Sequence, residues 1–179
     1  MKRGIVCLSM VLALTTSAAS GQTTRPENPP AVVNTAAPAF NLTALDGEKF
    51  ELAALRGKIV VFNFWFTGCE PCVEEMPELN ELVNLFKDKE VVFIAPTWDN
   101  PTVLQTFLKE HSFKYHVIPN SGGLILGPYT DGTKNVVFPT HLVIDREGKI
   151  DTRVTGSKHL DELRKAIERL VHRPSEVAK

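Results

Sequence analysis

Two cysteines, Cys69 and Cys72, stand two residues apart in the stretch NFWFTGCEPCVEEMPELN, residues 63–80. Thiols at this spacing can close a disulfide, supply half of a tetrahedral metal site, or cycle between dithiol and disulfide. A bond across two intervening residues closes a very small loop, and in the chain-entropy picture such loops stabilise least. Stapling is therefore a poor reason for the pair. A zinc site needs two more ligands. The remaining cysteine is Cys7, and the histidines at 111, 116, 141, 159 and 172 are dispersed, with no pair on one helix face. Neither metal nor cofactor is expected. Redox cycling asks for a thiolate that forms readily and a second thiol within reach.

The flanking residues meet that demand. KIVVFNFWF, residues 58–66, is a nearly continuous apolar, β-branched and aromatic run, which suits a strand buried on both faces. A helix is expected to open near Cys69, with Pro71 in its first turn, where a missing amide hydrogen costs nothing. The first amides of a helix have no partners inside it and the dipole is positive there, so a Cys69 thiolate is favoured. Glu70 opposes it locally. Cys72 lies one turn deeper, more buried, and placed to attack a mixed disulfide on Cys69.

The other elements follow from pattern. Asp46-Gly47 between two short alternating runs predicts a hairpin. Met76, Leu79, Leu82, Val83 and Phe86 give the helix after the cysteines an apolar face, and Pro77 should kink it or end its first segment. Residues 90–98, EVVFIAPTW, read as a second buried strand. Asp99 or Asn100 then caps a helix with Pro101 in its first turn and an inner stripe of Val103, Leu104, Phe107 and Leu108. YHVIP is a short strand. The Gly-rich stretch 120–137 is unassigned. THLVID and KIDTRVT read as antiparallel strands around an REG turn, and a last helix near 158–171 presents Leu160, Leu163, Ile167 and Leu170. The order predicts an α/β fold: a mixed sheet with helices on both sides and an additional N-terminal β-hairpin.

The 179-residue chain has a net charge of −1 and no basic stripe, so no nucleic-acid partner is expected. Its start has the form of a secretory signal: Lys2 and Arg3, a short apolar run from Gly4 to Leu14, then the small residues of TTSAAS. The expected organisation is a signal peptide over 1–21 (an uncleaved anchor being the alternative), a flexible linker over 22–38, a domain over 39–172 and a polar tail over 173–179. Cys7 falls within the signal. The remaining pair would then work in an oxidising compartment, where a disulfide persists.

VVFNFWFTGCEPCVEEMPEL, followed about seventy positions later by FPTHLVIDREGKI, resembles the thioredoxin fold, specifically its exported TlpA/ResA-like branch of thiol-disulfide oxidoreductases. The match spans roughly residues 39–171. It implies catalysis by Cys69 and Cys72. It implies a cis peptide before Pro139, in a Phe138-Pro139-Thr140 loop that faces the cysteines and pairs with an extended substrate. Glu75 matches a carboxylate that some members keep beside the active site; the other reading is a solvated helix residue. Asn63 stands where thioredoxins proper carry a buried acid. Gly68 departs from the family, which has Trp there; with Trp65 three positions away from the vacated wall, a more open approach to Cys69 is expected. Gly68 and Trp65 join the loop as candidate substrate contacts. The resemblance implies disulfide-bearing exported proteins as substrates, apocytochrome c among them, and a membrane-embedded thiol electron donor. The chain would be periplasmic or tethered to the outer face of the inner membrane.

Two other classes stay open. A thiol peroxidase of the same fold needs Ser or Thr three residues before the reactive cysteine and Pro further upstream, where this chain has Phe66 and Phe62. A metal-delivery or binding module of the exported type uses three residues between its cysteines and a partnering histidine; this chain has two.

Overall fold

The computed structural model describes residue 1, residues 33–129 and residues 136–173. The expected signal, most of the linker and the end of the tail lie outside these. Among the described residues, no helix is long and apolar enough to cross a membrane.

The all-buried strand β3 (Ile59–Phe64) forms the centre of a five-stranded sheet. On one side it pairs in parallel with β4 (Val91–Pro96), which pairs in parallel with β5 (His116–Ile118). On the other it pairs antiparallel with β6 (Thr140–Ile144), which pairs antiparallel with β7 (Ile150–Thr155). The order β5-β4-β3-β6-β7 is that of a thioredoxin fold. A separate hairpin, β1 (Asn41–Thr43) and β2 (Lys49–Glu51), turns through Gly47 at φ +92°. The Asp46 carboxylate accepts from the Glu48 amide at 3.0 Å in that turn.

Side chains alternate along the strands, so each face builds its own core. Ile59, Val61 and Trp65 of the β3 segment and Val143 of β6 face the helices α1 (Glu70–Glu74), α2 (Met76–Phe86) and α5 (Leu160–His172), together with Leu104 of α3 (Pro101–Phe107). Val60, Phe62, Phe64, Leu142 and Ile144 face the N-terminal segment, a 3-10 turn at Leu52–Leu55 and the one-turn helix α4 (Gly122–Ile125).

Several expectations change in detail. Residues before 39 pack on the body: Asn34 and Ala37 donate backbone hydrogen bonds to Ile150 and Gly148, which attaches the end of the expected linker to β7 and the β6–β7 turn. Val103 is exposed, and within α3 only Leu104 is fully buried. The Gly-rich stretch contains α4, whose first turn closes on the Ser121 carbonyl; residues 130–135 lie outside the described region. Pro77 acts as expected. The helix after the cysteines breaks at Glu75, which separates α1 from α2.

Candidate active site

After β3 the chain makes a single bridge from Trp65 to Thr97, then turns at 66–68. Cys69 closes that turn by donating its amide to Phe66 O at 3.0 Å and stands at the N-cap of α1. Its carbonyl accepts from Cys72 N and Val73 N, at 3.0 and 3.1 Å. The sulfurs are bonded, with Cα atoms 5.3 Å apart. Cys69 is 5% exposed and Cys72 0%. The pair is therefore graded, with Cys69 nearer solvent.

The turn is held from the neighbouring strand. Asp99 Oδ2 accepts from Thr67 N at 2.7 Å and from Thr97 Oγ1 at 3.2 Å, and Asp99 N donates to Thr97 Oγ1. Of the two residues that could cap α3, Asn100 does so, accepting from Val103 N at 3.0 Å. Asp99 is thereby free to position the segment that leads into Cys69.

The approach to Cys69 is walled. Phe66, Trp98 and Phe138 form a triangle of rings with centroids 4.8–5.2 Å apart. A Cβ at Gly68 would lie 3.2 Å from the Phe66 ring. Phe66 thus crowds one side of Gly68 and places a ring beside the turn that leads into Cys69. Gly68 itself is exposed, on the edge of a hollow of about 530 Å³ shared with Thr67, Thr102, Val103, Thr106 and Phe107. Trp65 is 0% exposed and packs on Phe107 and Phe113, so it is a core residue and out of reach of any substrate. Strand alternation explains this: Trp65 continues the inward face of β3, and Phe66 is the first ring to reach the surface. Trp98, 39% exposed, is a member of the wall that sequence reasoning misses. The signal is there, since a large aromatic at the end of a buried strand has one face left for solvent.

The Phe138-Pro139 peptide is cis. The loop is fixed by Thr140 Oγ1, which donates to Val137 O at 2.7 Å, and by Gly156 N, which donates to Pro139 O at 2.9 Å. Thr140 is buried within β6, paired with Phe64 and Thr155. It secures the loop from below. Val137 is exposed and Phe138 partly so, and they form the reachable part. Pro139 and Phe138 share a hollow of about 250 Å³ with Pro71 of α1 and residues 156–159. This hollow joins the loop to the start of the cysteine helix.

Behind the cysteines lies a polar group that the apolar pattern hides. Glu75, at the break between α1 and α2, is buried rather than solvated. His141 Nε2 approaches its Oε1 at 3.4 Å, without hydrogen-bond alignment. His141 is 0% exposed and lies opposite Asn63 in the β3–β6 register. Tyr115, also buried, is held well above the usual phenol range, first by desolvation and then by the Glu75 charge. Among the described residues, the side-chain oxygens of Glu75, both polar atoms of Asn63, both ring nitrogens of His141 and the Tyr115 hydroxyl have no hydrogen-bond partner. Asn63 therefore does not hydrogen-bond within the core, although its place in a buried strand would suggest that it should. In the sequence, His141 is one of a dispersed set of histidines. Its signal is its place in an alternating strand, at a position facing the helices.

Among the described residues, one cluster could hold a metal. Asp46, Glu48 and His116 bring ligand atoms within 4.8 Å of one another on the hairpin and β5. It shares no residue with the cysteine site.

The AhpC/TSA family matches the chain over residues 33–153. A thiol-disulfide oxidoreductase ResA from Bacillus cereus is 36% identical over 135 residues, which is 75% of this chain and 76% of that protein. Among solved structures, the thioredoxin domain of a thiol-disulfide oxidoreductase from Bacteroides vulgatus is similar, with a TM-score of 0.64 and 27% identity. That match covers 79% of this chain and 99% of the other. A thiol:disulfide interchange protein of the thioredoxin family from Chlorobium tepidum TLS aligns with a TM-score of 0.66 and 25% identity, over 76% of this chain and 96% of the other.

Proposed function

The chain belongs to the AhpC/TSA family and is a thiol-disulfide oxidoreductase similar to the ResA proteins, and from that premise we propose that it works as a reductant of exported proteins. The observation that carries the mechanism is the grading of the pair: Cys69 at the accessible end of α1, Cys72 enclosed behind it. In the dithiol form, the Cys69 thiolate attacks one sulfur of a substrate disulfide, that bond breaks, and the first substrate thiolate leaves and takes a proton. Cys72 loses its proton and attacks Cys69 Sγ. The mixed disulfide breaks, the second substrate thiolate leaves and is protonated, and Cys69–Cys72 closes. Two electrons and two protons have passed to the substrate.

An extended substrate segment runs along Val137 and Phe138, beside the cis-proline loop, with a side chain against the Phe66–Trp98–Phe138 wall. The family resemblance supports apocytochrome c before haem attachment as the substrate class. It also supports a membrane-embedded thiol donor as the source of electrons, and a position outside the inner membrane, reached through the secretory signal expected over residues 1–21. A peroxidase role is disfavoured. Phe66 belongs to the aromatic wall and Phe62 to the opposite core, so neither position offers a hydroxyl beside Cys69.

A redox titration of Cys69–Cys72 in thiol-disulfide buffers tests the direction of electron flow. A reductant should titrate near the thioredoxin value of about −270 mV; a value near about −120 mV, as in strong oxidants, would reverse the assignment.

A further inference from the structure

The resolving step has an unmet need. Cys72 must lose a proton inside an apolar layer, and a lone buried thiolate or carboxylate there costs several kcal/mol. Glu75 lies three residues on from Cys72, at the C-cap of the same helix α1, and is buried as Cys72 is. Among the described residues of this layer, His141 is the other buried group that can carry a positive charge to meet it, and it stands 3.4 Å from Glu75.

We propose that His141 is a positioning residue for the resolving step: its imidazole faces Glu75, the acceptor of the Cys72 proton, at 3.4 Å and carries the charge that offsets the thiolate formed. With His141 protonated, imidazolium and carboxylate neutralise each other. When Cys72 gives its proton to Glu75, the carboxyl becomes neutral, and the imidazolium is left facing the new thiolate. The enclosed group stays uncharged overall up to the attack. Attack on Cys69 Sγ consumes the thiolate. The proton on Glu75 then leaves for solvent as the departing substrate thiolate takes one up, and the pair resets. This inference rests on the two-cysteine cycle but not on the direction of electron flow.

The surroundings narrow the choice. Among the described residues, the titratable groups in this layer are Cys69, Cys72, Glu75, Tyr115 and His141. α2 and α5 contribute apolar side chains such as Met76, Leu79, Leu163 and Ile167, β7 contributes Val154, and β3 contributes the uncharged Asn63. Tyr115 is not the acceptor, since burial and the Glu75 charge hold it as a phenol. Asn63 occupies the strand position opposite His141, where a second acid would compete for the imidazole.

The reduced full chain, mixed with a chromogenic aromatic disulfide in a stopped-flow instrument, releases one coloured thiolate as Cys69 attacks and a second as Cys72 resolves. In His141→Gln the first phase should be unchanged. The second should fall about tenfold at neutral pH, and its pH profile should move upward by about one unit. A second phase with the wild-type rate and pH profile would overturn the proposal, as would equal slowing of both phases, which marks a merely structural role. Should His141→Gln not fold, the wild type decides. The imidazole resonances of His141, followed by NMR across pH, should titrate differently in the dithiol and disulfide forms, and superimposable titrations would overturn it. In Cys72→Ser only one coloured thiolate should appear; two would refute the underlying cycle instead.

Discussion

Position at the head of the helix, more than burial, separates the residue that meets substrate from those that stay behind it. Phe66, Trp98 and Phe138 form the reachable face beside Cys69, which is 5% exposed at the N-cap of α1, while Cys72, Glu75, His141 and Tyr115 lie inside. Two tyrosines record what burial does to a titrating group. Tyr115 and Tyr129 are both raised above the ordinary value of 10.0, Tyr115 by desolvation and Glu75, Tyr129 by desolvation. Below pH about 10 both are protonated whether folded or unfolded and contribute no pH dependence. Above it the unfolded phenols ionise while the folded ones do not, so stability falls as pH rises toward the folded values. Urea midpoints should therefore drop between pH 8 and pH about 11, and the drop should shrink in Tyr115→Phe. At pH 8 the two tyrosines should part. Tyr115 has no hydrogen-bond partner, so its phenylalanine variant should be neutral or stabilising. Tyr129 donates to Pro38 O, and Tyr129→Phe should cost about 1 kcal/mol. An undiminished alkaline drop in Tyr115→Phe would contradict this reading.

Among the elements, the turn at 66–68 is the part most dependent on a distant residue. It contains no regular structure, and the Thr67 amide finds its acceptor on Asp99. Asp99→Ala removes a charged acceptor from a partly buried amide, so we expect a loss of about 1.5–3 kcal/mol in urea unfolding, together with slower disulfide exchange. Asp99→Asn keeps an oxygen at that place and should recover most of both; equal behaviour of the Ala variant and wild type would remove Asp99 from this role. Sequence leaves the cap open between Asp99 and Asn100, because either side chain satisfies a helix N-terminus. The choice is made by the Thr67 amide, a partner thirty-two residues away, which local pattern does not register. The aromatic wall escapes for a similar reason. Gly68 reads as a bare position because the ring beside it, Phe66, is two residues earlier, and the neighbours of that ring, Trp98 and Phe138, come from two other segments.

At the scale of the whole molecule, the strands and the cysteine helix are legible because each is a dense local pattern. The six buried residues of β3, the kink set by Pro77 and the hairpin turn at Gly47 need no distant information. What is not legible depends on the sheet having assembled. Trp65 is sealed in the core by Phe107 and Phe113, residues 34–37 are drawn onto β7 and the β6–β7 turn, and His141 meets Glu75 only once β6 lies beside β3. The assembled sheet also fixes the order of the two sulfurs, since the strand end sets Cys69 outward and the helix carries Cys72 in. That order is open to a direct measurement: mass spectrometry of single-cysteine variants after exposure to a disulfide-bearing protein substrate. Cys72→Ser should accumulate a mixed disulfide through Cys69, and Cys69→Ser should accumulate none. A mixed disulfide on Cys72 in Cys69→Ser, with none on Cys69 in Cys72→Ser, would contradict the account.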